Sequence, residues 1–279
     1  MLVGGACYNS GMDIARIYET CVEQLGAFAE QAHFTDCVLG LSGGLDSSVI
    51  APLCVEALGA QHVHGVLMPG PYSSTHSVED AQQLADALGI DSQTIAINKP
   101  YEAFADTLAS ACGGVFEGIA SENTQARCRM IVLMALSNQY GWMVVNTGNR
   151  SEAYMGYSTL YGDTAGAFAP IGGLLKTQVY ELGHYINERA AEAGKTAPIP
   201  GRVFDKPPSA ELAPDQKDED GLGIDYPALD AILAAHFDEG QTAEQLIDAG
   251  FDAEQVVYVL ARAERNAFKR AQLPPCARM

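Results

Sequence analysis

A chain of 279 residues, 48% hydrophobic and 18% charged, is long enough for one large packed core and is not the composition of a disordered chain. No apolar run reaches the ~20 residues that span a bilayer. The start, MLVGGACYNSGMD, has neither a basic leader nor a long apolar stretch, so a cytoplasmic location without membrane or secretory signal is expected. A net charge of −19 would repel a phosphate backbone and argues against a nucleic-acid partner. A small phosphorylated ligand stays open, because one cationic cluster plus a metal reverses the field locally.

Short β-branched runs alternate with amphipathic helices, the pattern of a doubly wound α/β domain on a parallel sheet. Cys37–Leu41 reads as the first strand, followed by a glycine turn and a helix over Ser47–Leu58. His62–Met68 is the next strand and Ser77–Leu88 the next helix; Thr94–Ile97 and Tyr101–Ala111 form the third pair. A long helix over Glu122–Tyr140 leads into a strand at Trp142–Asn146. These strands are read as apolar on both faces, as in a sheet covered on both sides. The stretch Thr147–Gly173 has no clear period and is too long for an ordinary connection, so it is a candidate functional loop. After a helix at Thr177–Ala193, the Pro-rich stretch Thr196–Gly223 reads as a second long loop, a tolerated linker on composition alone, and Tyr226–Arg270 as helical. With no repeat and no domain linker, residues 1–279 read as one domain. The seven cysteines (Cys7, Cys21, Cys37, Cys54, Cys112, Cys128, Cys276) form no metal-ligand spacing and suit a reducing compartment, packing as small hydrophobes.

The most informative segment is CVLGLSGGLDSSVIAPL. An apolar strand ends in Ser42-Gly43-Gly44, and Asp46-Ser47-Ser48 opens a helix. Glycines let backbone N–H groups approach an anion, and a helix N-terminus adds unpaired donors and a positive dipole end, a setting for phosphate. No lysine follows the glycines, so this is not a GxxxxGK[ST] loop. An aspartate beside a phosphate is repulsive unless a cation lies between, which makes Asp46 a candidate Mg²⁺ ligand. The plainer alternative is a tight turn in which Asp46 or Ser47 caps the helix.

Ser42-Gly43-Gly44-Leu45-Asp46-Ser47 resembles the SGGxDS pyrophosphate loop of the ATP pyrophosphatases. Further segments are similar to the NAD synthetases within that group. They are Gln125-Ala126-Arg127-Cys128-Arg129-Met130, Asn146 to Glu152, Gly156-Tyr157-Ser158-Thr159-Leu160-Tyr161-Gly162-Asp163, Lys176-Thr177, and Pro207-Pro208-Ser209-Ala210-Glu211-Leu212 followed by Asp218-Glu219. The resemblance implies a doubly wound ATP pyrophosphatase fold with helical additions at both ends. It implies a ligase that amidates deamido-NAD with ammonia through an adenylated intermediate, releasing AMP and pyrophosphate, with Mg²⁺ as cofactor. Carried over residue by residue, Gly40, Leu41, Ser42, Gly43, Gly44, Leu45, Asp46, Ser47, Met68, Thr147, Lys176 and Ser209 would contact ATP. Asp46 and Glu152 would hold the metal, and Arg127, Asp163 and Lys269 would contact deamido-NAD. Asp46, Lys176 and Asp163 would act in catalysis, while Arg129, two positions from Arg127, would point elsewhere and be structural. A homodimer whose interface helps to bind deamido-NAD is also implied.

Two positions depart from the ammonia-dependent enzymes of the family. Leu160 stands where many have a substrate-contacting lysine, and Phe268-Lys269 stands where they have His-Lys. Both departures make the chain similar to the synthetase part of glutamine-dependent enzymes, yet the residues ahead of Cys37 are far too few for a glutaminase domain. Free ammonia is therefore the expected donor, with a separate glutaminase subunit as the alternative. A tRNA-modifying relative would call for basic patches or a catalytic cysteine pair. A non-catalytic nucleotide-binding protein would not need two metal carboxylates.

Overall fold

The computed structural model describes residues 13–279; the opening MLVGGACYNSGM, on which the leader expectation and Cys7 fall, lies outside the described residues. Helix α1 (Ile14–Gln31) starts at Asp13, whose carboxylate accepts from the Ala15 N–H, and buries Ile17, Cys21 and Leu25 at the four-residue spacing of one helical face. The chain continues through β1 (Cys37–Gly40), α2 (Leu45–Leu58), β2 (Val63–Leu67), α3 (Thr75–Leu88), β3 (Asp91–Thr94), α4 (Asn98–Ala109), α5 (Gly118–Tyr140) and β4 (Met143–Val144). All four strands are parallel, in the order β3-β2-β1-β4, with Cys37 opposite both Val63 and Met143.

Period-two alternation divides each strand between two cores. Cys37, Leu39, Val63, Leu67 and Met143 join residues of α1, α2 and α3, such as Leu25, Ile50 and Leu84, in the larger core. Val38, Val66 and Val144 turn to the opposite face, where Cys128, Met130 and Leu133 of α5 cover them. Helices thus cover both faces, as the alternating sequence pattern requires.

The third strand lies at Asp91–Thr94, three residues earlier than Thr94–Ile97, and it is largely exposed rather than apolar on both faces. It is an edge strand with β2 as its one neighbour, so burial does not select its residues. Backbone pairing continues beyond it, from Ile95 N to Leu67 O at 2.8 Å and from Ile97 N to Pro69 O at 2.9 Å, and this seats the fully buried Ile97 in the α5-side core.

The stretch after β4 contains a short helix, α6 (Arg150–Met155), and Val145 bridges to Phe168. It leads into α7 (Lys176–Glu192), which adds Val179 and Leu182 to the larger core. Two short helices, α8 (Arg202–Asp205) and α9 (Asp218–Leu222), punctuate the second long loop. The tail is four helices: α10 (Tyr226–Phe237), α11 (Ala243–Asp248), α12 (Ala253–Arg265) and α13 (Ala267–Arg270). Leu229, Ile232, Leu246, Val256 and Val259 pack there against Met155 and Leu175 as a third core, and this anchors both α6 and the start of α7. Among the described residues no helix is long and apolar enough to cross a membrane.

Candidate functional site

At the carboxyl ends of the strands, where open α/β sheets place their ligands, lies a cleft of about 1120 Å³. Its floor is the turn between β1 and α2. Gly43 has φ +72°, and a Cβ there would stand 2.0 Å from the Ser77 carbonyl oxygen, so only glycine fits. Gly44 occupies the N-cap of α2 and brings no side-chain cap, so neither Asp46 nor Ser47 plays the plain capping role. The Ser42 and Ser47 hydroxyls bond each other at 3.0 Å, and the Gly44 N–H donates to Ser42 Oγ at 3.1 Å.

Three elements meet over this turn. Asp46 projects from the first turn of α2, Glu152 from α6 and Lys176 from the start of α7. Lys176 Nζ donates to Asp46 Oδ2 at 2.6 Å and to Glu152 Oε1 at 3.3 Å. Asn149 caps α6 by accepting from the Glu152 N–H at 3.0 Å, while its amide donates to Asp46 Oδ2 at 3.4 Å. The lysine side chain is 3% exposed, so ordering the three charges costs desolvation that only their mutual attraction offsets. Burial pushes the Glu152 carboxyl up to about 8, against the pull of Lys176 and with the push of Asp46 and Asp218. Burial disfavours charge on Lys176, but Asp46 and Glu152 overcome it and hold the ammonium above the ordinary lysine range. Asp46 Oδ1 is buried without a hydrogen-bond partner.

The start of α7 is locked from behind. Asp230 of α10 accepts from the Ser151 hydroxyl on one oxygen and from the Thr177 N–H at 2.8 Å on the other. Ser151 Oγ in turn accepts from the Lys176 N–H at 2.9 Å.

Of the residues nominated from sequence, all line the cleft except Gly43, which packs on Ser77, and Arg127. Arg127 Nε donates to the Leu160 carbonyl at 3.1 Å. Arg129 does line the cleft, with Nε on the Met68 carbonyl at 3.0 Å, and burial lowers its pKa. Met68 is both core and wall, since it packs with Val66 and Ile97 and faces the cavity. Ser209 Oγ accepts from the Glu211 N–H at 3.1 Å. Asp163 sits on an exposed rim and accepts from the Thr159 N–H, a bond that with Lys269 favours its charged form. Lys269 Nζ donates to the Gly156 and Ser158 carbonyls at 2.8 and 2.7 Å, and burial lowers its pKa against the pull of Asp163.

The second long loop is a wall of the cleft and not a linker. Arg202 forks onto the buried Asp80 with contacts of 2.8 to 3.3 Å, and Lys206 Nζ reaches the Gly43 carbonyl and, at 3.1 Å, Ser77 Oγ. Glu211 accepts from the Ser74 N–H at 3.1 Å and from the Ser77 hydroxyl at 2.7 Å, and Gln125 donates to the Leu212 carbonyl at 2.9 Å. Arg129, Lys206 and Asp218 line the cleft without having been nominated from sequence. Lys206 had one signal, its place directly before Pro207-Pro208 in a segment already singled out. Of the six described cysteines, Cys21, Cys37, Cys54 and Cys128 are buried as expected, whereas Cys112 is exposed.

Fold and site together define a parallel α/β protein with a glycine turn under a large cleft at the carboxyl ends of its strands. The family model for NAD synthase matches residues 17–273, and the chain belongs to that family. It is 43% identical to a glutamine-dependent NAD(+) synthetase of Thermotoga maritima over 92% of its own length but 44% of the relative's. The chain therefore spans less than half of that protein. Two solved structures are matched along nearly their whole length. The NMN synthetase of Francisella tularensis is 32% identical with a TM-score of 0.77, covering 93% of this chain and 96% of that one. The NH3-dependent NAD synthetase of Campylobacter jejuni is 29% identical with a TM-score of 0.74, covering 92% and 96%.

Proposed function

We propose that the chain is an ATP-dependent ligase that amidates deamido-NAD to NAD with ammonia. The observation that carries this reading is the meeting of Asp46, Glu152 and Lys176 over the glycine turn. In the first half-reaction an oxygen of the nicotinate carboxylate bonds to the ATP α-phosphorus and pyrophosphate leaves with the bond pair. In the second, the ammonia nitrogen bonds to the acyl carbon, the carbon–oxygen bond to AMP breaks, and nitrogen loses a proton to water. The glycine turn and α2 N-terminus would receive the phosphates, and Lys176 would neutralise charge gathering on them.

The donor set fits Mg²⁺. Among the described residues no group of three or more His, Cys, Asp or Glu could hold a metal ion, but Mg²⁺ is commonly bound by one or two carboxylates with substrate phosphates completing the shell. Asp46 and Glu152 would supply those carboxylates, and the buried Asp46 Oδ1 lacks the partner such an ion would give it. When bound, the ion offsets the charge of the triphosphate.

The nitrogen source and partner follow from the same reading. We propose free ammonia as the nitrogen source, with ammonia passed from a separate glutaminase subunit as the alternative. Arg127, Ile131 and Met134 share one face of α5 at helical spacing, with Ile131 56% exposed and Met134 40% exposed. A second copy covering that face would make the implied homodimer and bring Arg127 into a shared deamido-NAD site. Arg127→Ala should then raise the KM for deamido-NAD by about 1.5–3 kcal/mol and leave that for ATP unchanged.

A second reading is amidation of nicotinate mononucleotide, favoured by the near end-to-end match with the Francisella NMN synthetase. One assay separates these. Pyrophosphate release is measured with Mg²⁺-ATP and either deamido-NAD or nicotinate mononucleotide, and amide formation with ammonium or glutamine. Turnover on deamido-NAD with ammonium is expected, with the rate rising as pH deprotonates NH₄⁺. Preference for the mononucleotide would install the second reading, and silence on both would sink the assignment. Glutamine use by the pure chain would refute the ammonia reading; glutamine use only with added extract would favour the separate glutaminase.

A further inference from the structure

Two buried carboxylates flank the Lys176 cluster, and they are completed to different degrees. Asp230, 2% exposed, has both oxygens bonded, one by Ser151 and one by the Thr177 N–H, and it does not line the cleft. Asp218, 5% exposed, does line the cleft; its Oδ2 accepts from the Tyr226 hydroxyl at 3.2 Å, while its Oδ1 is shielded from solvent and has no partner. Buried carboxylate oxygens are ordinarily bonded, so the open lone pairs of Asp218 need an explanation that those of Asp230 do not.

We infer that Asp218 Oδ1 receives the nitrogen donor in the cleft, as ammonia or as ammonium that gives one proton to water before its freed lone pair attacks the activated carboxyl. This rests on the amidation reading above. The surroundings favour a small N–H donor over a second metal ion. One free carboxylate oxygen matches one N–H, and among the described residues no group of three or more His, Cys, Asp or Glu could hold a metal ion. The second oxygen is already used by a tyrosine hydroxyl that donates to it. Two tyrosines adjoin the position, Tyr226 through that bond and Tyr157 through its packing on Gly221, three residues on. Burial pushes the Asp218 carboxyl up, while Lys176 and the hydroxyls of Tyr226 and Tyr157 pull it down. Asp218 forms no covalent bond, and the electron accounting of the amidation is unchanged.

The experiment is steady-state NAD formation at varied ammonium chloride and fixed pH, comparing the parent chain with D218N and Y226F. D218N should raise the KM for ammonium about tenfold or more, as loss of one charged hydrogen bond does, keep kcat at saturating ammonium within about threefold, and move the KM for ATP less than about twofold. Y226F keeps the carboxylate but removes the hydroxyl bond that fixes its orientation, and should raise the ammonium KM by a smaller factor, about two- to fivefold. If D218N does not fold, Y226F decides alone. An ammonium KM unchanged in either folded variant overturns the inference, and so does a change in D218N that falls on the KM for Mg²⁺ instead. A parent chain that releases no pyrophosphate from ATP and deamido-NAD overturns the functional reading, and this inference with it. With a parent that makes NAD, an unchanged ammonium KM in the variants sinks this inference alone.

Discussion

At the amino ends of the strands, Asp36 Oδ1 contacts His62 Nδ1 at 3.3 Å and His64 Nε2 at 3.2 Å, and the His64 ring lies stacked on Trp142 with 3.7 Å between centroids. At the carboxyl ends, Asp46 and Glu152 share the amine of Lys176 over the glycine turn. Both ends gather charged and polar side chains from separate elements. The amino-end groups bond one another and do not line the cleft; the one loose atom, His64 Nδ1, stands 3.6 Å from Asp91, too far for a hydrogen bond. The carboxyl-end groups leave Asp46 Oδ1 and Asp218 Oδ1 open beside a large cavity, and hold a glutamate carboxyl near neutral pH. Density of charge does not distinguish the ends. Incompleteness next to a space large enough for ligands does.

The hardest test of that contrast is Lys176→Met. The amine is the shared cation of two part-buried carboxylates, and its removal leaves them facing each other. Pyrophosphate release should fall by about 10²–10³-fold, and stability by about 3 kcal/mol or more, measured by denaturant unfolding. Asp46→Asn should cost about 10²-fold or more in the same assay while the chain stays folded, because asparagine keeps the side-chain shape. Near-normal turnover in either variant would place the chemistry elsewhere.

Gly43→Ala acts through the backbone. A methyl group at φ +72° would meet the Ser77 carbonyl, so the turn must shift. A loss of about 1–3 kcal/mol is expected, with a raised KM for ATP. Unchanged ATP binding would show that the turn does not receive phosphate.

Glu152→Gln sharpens the electrostatic side of the contrast. In the folded chain burial raises this carboxyl from its ordinary 4.5 to about 8. Between those values the unfolded chain has released the proton and the folded chain still holds it, so stability falls as pH rises through the window. Glutamine carries no such proton, and the variant should show a shallower decline over the same range. Residual exposure of the carboxylate damps the difference, which is read as a slope in melting temperature against pH. Parallel slopes in parent and variant would remove Glu152 from the list of strongly shifted groups.

How much of this was legible in the sequence depended on how local each feature is. The β1 turn and α2 were legible because strand, glycines and helix follow one another directly. Asp46 is nominated by the chemistry of the turn itself, whereas Lys176 lies 130 positions away with no period to connect them and is nominated through the family resemblance. The wall built from the second long loop was hidden for the same reason, since Arg202 finds Asp80 across 122 positions. Asp218 opens an acidic run that reads as a solvated surface on composition; the family resemblance marks the segment, but it is the packing of Tyr226 that shows the carboxylate to be buried. The register of β3 was missed because a polar edge strand carries no apolar signature.

The smallest effect is expected at the amino end, and it is the control for the rest. Asp36→Ala removes the acceptor shared by His62 and His64 but touches no residue of the cleft. Asp36 and His62 are about a third exposed, so water replaces much of what is lost, and about 1–2 kcal/mol is expected for two ordinary hydrogen bonds. For a chain of this size that corresponds to a melting shift of about 2–4 °C per kcal/mol. Turnover should stay within about twofold of the parent under conditions where both are folded. If instead Asp36→Ala lowered kcat by an order of magnitude with an unchanged melting temperature, the amino-end cluster would be coupled to the reaction through the strands. The division between a self-satisfied end and an open one would then no longer describe this molecule.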